Sequence, residues 1–331
     1  MDQRAITRSG VKVSPVGLGC VTFGREIDQE TSFKLLDHAL DKGINLLDTA
    51  ESYGGGQARE ARAKQCGFED NREVTTEISS SEKIIGRWLK ARGVRDEVVI
   101  CTKVWTTGGG GMWATDITRS LEESLERMGI DHADIFMMHM PDTKVPIDQT
   151  LGELKELFDR GLARTIGASN YTADQIHEAL GVSENHGWPP FESIQPKYNL
   201  IEREAEDQLL GLCAQKKIGV MAYSPLCQGF LSGKYTSDPA SIPKGSRFDI
   251  KPTHGPRYFT DKNFRILEKL RQQASELGVP IVRLAVAWVM THPAVTSTLI
   301  GARTCEHIDN GIAALDLVLD PDLRETMSSW K

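Results

Sequence analysis

The chain has 331 residues, 40% hydrophobic and 26% charged, with 39 basic against 46 acidic side chains and a net charge of −7. That length buries a large core without disulfide or metal staples, and the composition is that of an ordinary globular protein. An acidic chain lacks the excess of Lys and Arg that a nucleic-acid surface needs, although a local basic pocket for one small phosphate ligand is compatible with it. Six cysteines, at 20, 66, 101, 213, 227 and 305, contain no C-x-x-C pair and fit neither a disulfide framework nor a zinc site. MDQRAITRSG lacks the apolar core of a signal peptide, and no apolar run approaches the ~18 residues of a membrane span. A cytoplasmic location is expected, with neither membrane nor nucleic acid as a partner.

The opening ITRSGVKVSP, with polar Ser9-Gly10 between two short strand-like halves, predicts a β-hairpin that caps one end of the fold. The first strand-like run, PVGLGCVTFG at 15–24, leads to a helical pattern over 32–42 that stops at Gly43. INLLDTA (44–50) is the second strand, followed by a long connection from Tyr53 to about Ser81. After VVICTKV (98–104), a helix over 115–128 sets Ile117, Leu121, Leu125 and Met128 on one face and ends before Gly129. ADIFMMHM (133–140) precedes a helix over 147–160, with Leu151, Leu154 and Phe158 on one face and Gly161 after it. Then come ARTIGAS (163–169), ESIQPKYNL (192–200), GVMAYSPL (219–226), a second long connection from about Cys227 to Thr260, and TSTLIGA (296–302).

Several of these eight strands are nearly continuous apolar runs, as parallel strands covered on both faces should be. With helices between them and no linker or low-complexity tract, they predict a single domain over 1–331, a closed (β/α)8 TIM barrel. The competing doubly wound sheet lacks its signature. No G-x-G-x-x-G follows the first strand, and GGGQAR at 54–59 lacks the third glycine and follows the second. Both long connections belong on the C-terminal face of such a barrel, where long loops are commonly functional.

Chemistry in this fold sits at the C-terminal ends of the strands. There the sequence places Asp48 and Tyr53 after the second strand, Lys103 in the third and His139 in the fourth. Each has a plain alternative. An Asp after a strand is commonly a cap or turn residue, and a His at a strand end is commonly a satisfied structural one. A Lys inside an apolar run is harder to dismiss, because a buried ammonium requires a partner. Together they form a coherent acid. A phenol with a pKa of about 10 ionises more readily beside an ammonium; Lys103 supplies that charge, Asp48 holds it oriented, and His139 hydrogen-bonds a substrate carbonyl.

DTAESYG (48–54) resembles the D-T-A-x-x-Y-G signature of the aldo-keto reductase superfamily, ICTKV (100–104) its lysine strand and IFMMHMPD (135–142) its histidine strand. The resemblance continues in the family's order through IGASNY (166–171), IQPKYN (194–199), AYSPL (222–226), LSGKY (231–235) and IGARTCEHIDN (300–310), covering essentially the whole chain. It implies hydride transfer between NADP(H) and a carbonyl or alcohol, with Tyr53 as general acid, Lys103 and Asp48 as its tuning pair and His139 as the carbonyl-orienting donor. It also implies that Ser169, Asn170 and Gln195 hydrogen-bond the nicotinamide carboxamide and that Tyr223 stacks on the nicotinamide ring. Ser224, Leu226 and Lys234 match the loop that covers the pyrophosphate, and Arg247, in GSRF, clamps over the same region.

Gly301, Arg303, His307 and Asn310 fall in the stretch that meets the adenosine end. Arg303 matches a site where the family places a 2′-phosphate partner, which suits a guanidinium fork and favours NADP(H) over NAD(H). His307 stands at another frequent arginine position. Many relatives carry Asn where this chain has Gly311, preceded by an acid; here Asn310 either replaces the acid or, by a slip of one residue, takes the adenine role. The family's S-E-x-x-I/L-G element, which ordinarily follows Y-G within a few residues, comes here as SEKIIG (81–86). A polar insert at about 55–80, with Arg59, Arg62, Lys64 and Glu69, therefore emerges beside the tyrosine, to line the substrate pocket, to form a subunit contact, or as a surface loop.

Trp105 and Trp113, flanking Gly108 to Gly111 and Met112, are candidates for an adaptable substrate wall or are packing residues. Substrate identity, reaction direction and oligomerisation stay open. Two rival functions exist. One is an NADP(H)-sensing binding subunit, like the family's channel-associated β subunits; no long N-terminal segment precedes the barrel, and all four catalytic residues are present, which favours an enzyme. The other is a metal-dependent barrel hydrolase, for which only His139 and Asp48 offer ligands and Lys103 would repel the cation.

Overall fold

The computed structural model describes residues 1–6, 10–56, 74–104, 114–250 and 252–330. An antiparallel pair, β1 (Arg4–Ala5) and β2 (Lys12–Val13), opens the chain. Eight parallel strands follow: β3 (Val16–Gly19), β4 (Leu46–Asp48), β5 (Val99–Val104), β6 (Ala133–Met138), β7 (Ala163–Ser169), β8 (Ser193–Gln195), β9 (Gly219–Tyr223) and β10 (Ser297–Gly301). They close into a barrel, β10 pairing with both β9 and β3. Helices α1 (Gln29–Asp41), α2 (Ser80–Arg92), α3 (Ala114–Met128), α4 (Ile147–Asp159), α5 (Ala173–His186) and α6 (Leu209–Lys216) alternate with them, and α7 (Asp261–Glu276), α8 (Ile281–Met290), α9 (Cys305–Ala313) and α10 (Pro321–Ser328) complete the outer layer. The architecture is the (β/α)8 barrel that the strand count predicts. Among the described residues no helix is long and apolar enough to cross a membrane.

A strand's period of two decides which residues enter the barrel. Leu46, Val99, Cys101, Ile135, Met137, Met221 and Leu299 form one buried cluster inside it, and Ile6, Val11 and Val13 of the hairpin join that cluster from the strands' N-terminal end. The alternate residues, among them Leu18, Leu47, Ile100, Phe136, Ile166, Ile194, Val220 and Ile300, pack outward against the helices in a second cluster. The hairpin is thus an apolar plug, and the interior left for polar side chains lies at the opposite, C-terminal end.

β7 fills its predicted run, 163–169; each of the other seven strands lies within its run but is shorter, because the run's ends bend into the loops. The run at 192–200 shows the cause: β8 stops at Gln195, and Pro196, without an N–H, cannot extend the ladder. The connection after β9 is a series of short helical turns, at Cys227–Ser232, Pro239–Ser241, Arg247–Ile250, Pro252–His254 and Gly255–Tyr258. Ring contacts of 4.9–6.4 Å among Phe230, Tyr235, Phe248, Tyr258 and Phe259 hold them together.

The glycine of SEKIIG has a steric reason. A Cβ on Gly86 in α2 would lie 2.6 Å from the backbone Cα of Met128 in α3, so the two helices touch through bare backbone. Beside it the fully buried Glu82 accepts from outward-facing Thr102 (2.6 Å) and from Arg127 Nε (2.6 Å), fastening both helices to β5. Gly86→Ala should therefore cost about 1–3 kcal/mol by overpacking, read as a lower urea midpoint.

Candidate active site

The inward parity that fills the barrel with Val99 and Cys101 puts Lys103 on the same face, one layer higher. Asp48, Ser169, Gln195 and Tyr223 end β4, β7, β8 and β9. His139 follows β6, held by a backbone bond from its N–H to Val104 O (3.0 Å). Lys103 has no exposed surface, and its Nζ donates to Asp48 Oδ1 at 2.6 Å and to Thr49 O at 2.8 Å. Gln195 Nε2 donates to the same Asp48 oxygen at 2.8 Å. Burial works against the Lys103 charge, yet Asp48 and then Tyr53 outweigh it, and its pKa is raised.

Tyr53 sits on a turn after β4, its N–H bonded to Ala50 O at 3.0 Å. Its ring centroid is 5.0 Å from Lys103 Nζ and 5.7 Å from the His139 ring, edge to face. Burial pushes the phenol up to about 12, while Lys103, by charge and hydrogen bond, pulls it down. The ammonium acts in the expected direction, but desolvation is larger, so the expectation of a net lowering is corrected. His139 is pushed down to about 3 by burial and by the Lys103 charge, and is a neutral imidazole at physiological pH.

Asn170, in a left-handed conformation (φ 63°), donates from Nδ2 to His139 O (2.9 Å) and Ser169 Oγ (3.0 Å), and accepts from Tyr223 OH (2.7 Å). Ser169 Oγ donates to Gln195 O (2.9 Å). The carboxamide candidates Ser169, Asn170 and Gln195, with Tyr223, are therefore one hydrogen-bonded network with Asp48, Lys103 and His139.

A second group surrounds Glu26, after β3. Arg247 Nη1 reaches Glu26 Oε1 at 2.8 Å and Arg25 pairs with it at 2.9 Å. Although burial works the other way, Arg25, Arg247 and Arg303 hold Glu26 below the usual carboxylate range. Lys234 is lowered by burial and by Arg303, and His307 by burial, Arg303 and Lys234. Arg303 donates to Gly245 O (2.9 Å), and its N–H to His307 Nδ1 (3.2 Å). These cations make a positive rim suited to phosphates.

Ser224 and Leu226 begin the turn after β9, and Gly301 is exposed at the end of β10. Asn310 stands apart from the rim's bonds: its Oδ1 accepts from Arg283 Nε at 3.0 Å. A Cβ on Gly311 would meet Ile300 Cδ1 at 2.4 Å, so a side chain there requires the tip of Ile300 to shift. Trp105, Trp113, Gly108 to Gly111, Met112, Arg59, Arg62, Lys64 and Glu69 lie outside the described residues. No group of three or more His, Cys, Asp or Glu among the described residues is placed to hold a metal. Sequence reasoning missed Thr49, whose backbone oxygen gives no signal, and Arg25, Glu26 and Gln228, which approach Arg247 only through folding. Asn199 lies within IQPKYN, but its residue type there carries no signal of a role.

The depressed His139 pKa makes a stability prediction. The unfolded chain takes the proton near the ordinary value of 6.5 and the folded one only near 3, so stability rises with pH between them. Moving from about pH 7 to 5, the wild type should lose roughly 2 kcal/mol more than His139→Gln, measured by urea unfolding. Equal losses in the two proteins would mean that the folded imidazole takes the proton as readily as the unfolded one.

The sequence profile of the aldo/keto reductase family matches residues 15–329. An uncharacterized oxidoreductase, YrpG, of Bacillus subtilis (strain 168) is 32% identical over 333 residues, 98% of this chain and 94% of its own. The aldo-keto reductase YhdN of the same organism is 32% identical over 316 residues, 92% of this chain and 85% of its own. A probable voltage-gated potassium channel subunit beta of Oryza sativa subsp. japonica is 32% identical over 327 residues, 96% of this chain and 92% of its own. With strand-end chemistry, barrel and sequence in agreement along its length, the chain belongs to the aldo/keto reductase family.

Proposed function

We propose that this oxidoreductase transfers hydride between NADP(H) and a carbonyl or alcohol substrate, with Tyr53 as general acid and base, in one catalytic domain spanning the chain. The observation that carries the reading is the buried Lys103–Asp48 pair, with Lys103 Nζ 5.0 Å from the Tyr53 ring. The bound cofactor supplies the hydride; the residues supply the proton and the orientation. With a pKa of about 12 the phenol is fully protonated at neutral pH. An alkoxide is a far stronger base than a phenolate, so transfer from Tyr53 runs downhill. Lys103 stabilises the phenolate that results, while Asp48 and Gln195 keep Lys103 in place. His139, neutral, donates a hydrogen bond to the substrate oxygen without competing for its proton. In the oxidative direction the Tyr53 phenolate accepts the alcohol proton.

Gln195, Ser169 and Asn170 would hold the carboxamide and Tyr223 the nicotinamide ring. Ser224, Leu226, Lys234 and Arg247 would enclose the pyrophosphate, and Gly301, Arg303, His307 and Asn310 the adenosine end. Repulsion of Lys234 and His307 by Arg303 is relieved by an anion among them. A 2′-phosphate supplies one, which favours NADP(H) over NAD(H). Trp105, Trp113 and the 55–80 insert would border a small-molecule carbonyl or alcohol substrate. Free thiols at Cys20, Cys101, Cys213, Cys227 and Cys305 agree with a reducing cytoplasm.

The rice relative named as a channel subunit supports a second reading, a cofactor-sensing subunit with slow turnover. Loss of NADPH absorbance against a panel of aldehydes, ketones and sugars, with NADH in parallel, separates the two. Turnover with NADPH is expected; tight binding without turnover in either direction favours the sensor. Tyr53→Phe should lower kcat at least ~100-fold with NADPH affinity nearly unchanged, and an unaltered rate would remove Tyr53 as the acid. Arg303→Ala should weaken NADPH about tenfold more than NADH, whereas equal losses would remove Arg303 from phosphate recognition.

A further inference from the structure

The turn after β9 is held in an unfavourable backbone shape. Ser224, Cys227 and Gln228 have φ of 59°, 49° and 57°, a left-handed region that residues other than glycine adopt when the surroundings impose it. Asn199, with no exposed surface, bonds to two of these three residues. Its Nδ2 donates to Ser224 O at 3.1 Å, and its Oδ1 accepts from Cys227 Sγ at 2.8 Å.

Asn199 is itself fixed from the other side. Its Oδ1 also accepts from the N–H groups of Ile201 (2.9 Å) and Glu202 (2.7 Å), and its Nδ2 donates to Glu202 Oε2 (3.1 Å). Glu202, almost fully buried, accepts as well from Tyr258 OH (3.1 Å), Arg257 Nη2 (2.6 Å) and Lys197 Nζ (3.3 Å). One amide and one carboxylate thus join the loop after β8 to both ends of the connection after β9.

We propose that Asn199 is a positioning residue of the cofactor site: it holds the Ser224–Gln228 turn in the shape that covers the pyrophosphate, and Glu202 fixes Asn199 for that task. The inference rests on the cofactor reading above. Only an amide satisfies both sides, since Oδ1 faces backbone N–H donors while Nδ2 faces a carbonyl and a carboxylate. An acid of the same shape has no N–H to give and sets a second carboxylate against Glu202.

The test compares wild type, Asn199→Ala and Asn199→Asp by NADPH fluorescence titration, by kcat at saturating NADPH, and by hydrogen exchange without cofactor. The Kd for NADPH should rise about tenfold or more in both variants, the scale of one buried hydrogen bond lost with its partner left unsatisfied. At saturation kcat should stay within about threefold. Exchange should quicken over 224–233 while the barrel strands keep their protection.

In Asn199→Asp the affinity loss should shrink as pH falls from about 8 to 6, because a protonated carboxyl facing Glu202 regains a donor. Asn199→Ala should show no such recovery. Wild-type affinity in the variants, faster exchange throughout the barrel, or a pH-independent Asn199→Asp loss would overturn the positioning role. Failure of the wild type to bind NADPH would instead overturn the functional reading and, with it, the cofactor half of this inference; exchange over 224–233 then decides whether Asn199 holds the turn.

Discussion

An ammonium with no exposed surface must be paired, and the pairing of Lys103 with Asp48 governs how the upper end of this barrel is arranged. Breaking such a pair strands a charge in a medium that cannot solvate it. The rest of the local structure serves to avoid that. Thr49 turns its carbonyl to Lys103, Gln195 shares the Asp48 oxygen, and strand parity brings all of them to one layer above Cys101 and Met137. The same low-dielectric setting raises the Tyr53 phenol and keeps His139 neutral. In the proposed reaction, proton donor and hydrogen-bond donor would thereby be distinguished by environment rather than by residue type alone.

The site divides into two regions of different physics. Around Asp48 the groups are buried and close, and short hydrogen bonds link Lys103, Asp48, Thr49 and Gln195. Around Glu26 positive charge is in excess, and Lys234 and His307 feel Arg303. The first region suits chemistry at a single bond, the second a polyanion that compensates repulsion. The left-handed turn between them is held by side chains that belong to neither, Asn199 and Glu202, so a site's shape can depend on residues that never meet a ligand.

The fold, and the convergence of Asp48, Tyr53, Lys103 and His139 at one end of it, were legible for physical reasons. Lys103 stood out because a lysine inside VVICTKV must be buried and therefore paired, and Asp48, Tyr53 and His139 stood out because strand ends converge in a barrel. The eight strands were readable as apolar runs, though Pro196 shows how one proline shortens an element that hydrophobicity alone extends. What could not be read depends on contacts between residues distant in sequence. Gln195 meets Asp48 and Arg247 meets Glu26 only once the barrel has closed. The net direction of the Tyr53 shift required weighing burial against charge, and burial has no sequence signature at a position that follows a strand. Gly311 was visible as a departure from the family pattern, but its neighbour, the side-chain tip of Ile300, is a packing fact.

The most direct measurement of the central claim is the single-turnover rate of NADPH oxidation against pH, with any substrate the protein reduces. The account predicts a plateau from roughly pH 5 to 9, because Tyr53 keeps its proton above that range and His139 lacks one throughout it. A limb near neutrality that disappears in His139→Gln would show that the reaction uses a protonated imidazole, and would contradict the assignment of proton donation to Tyr53.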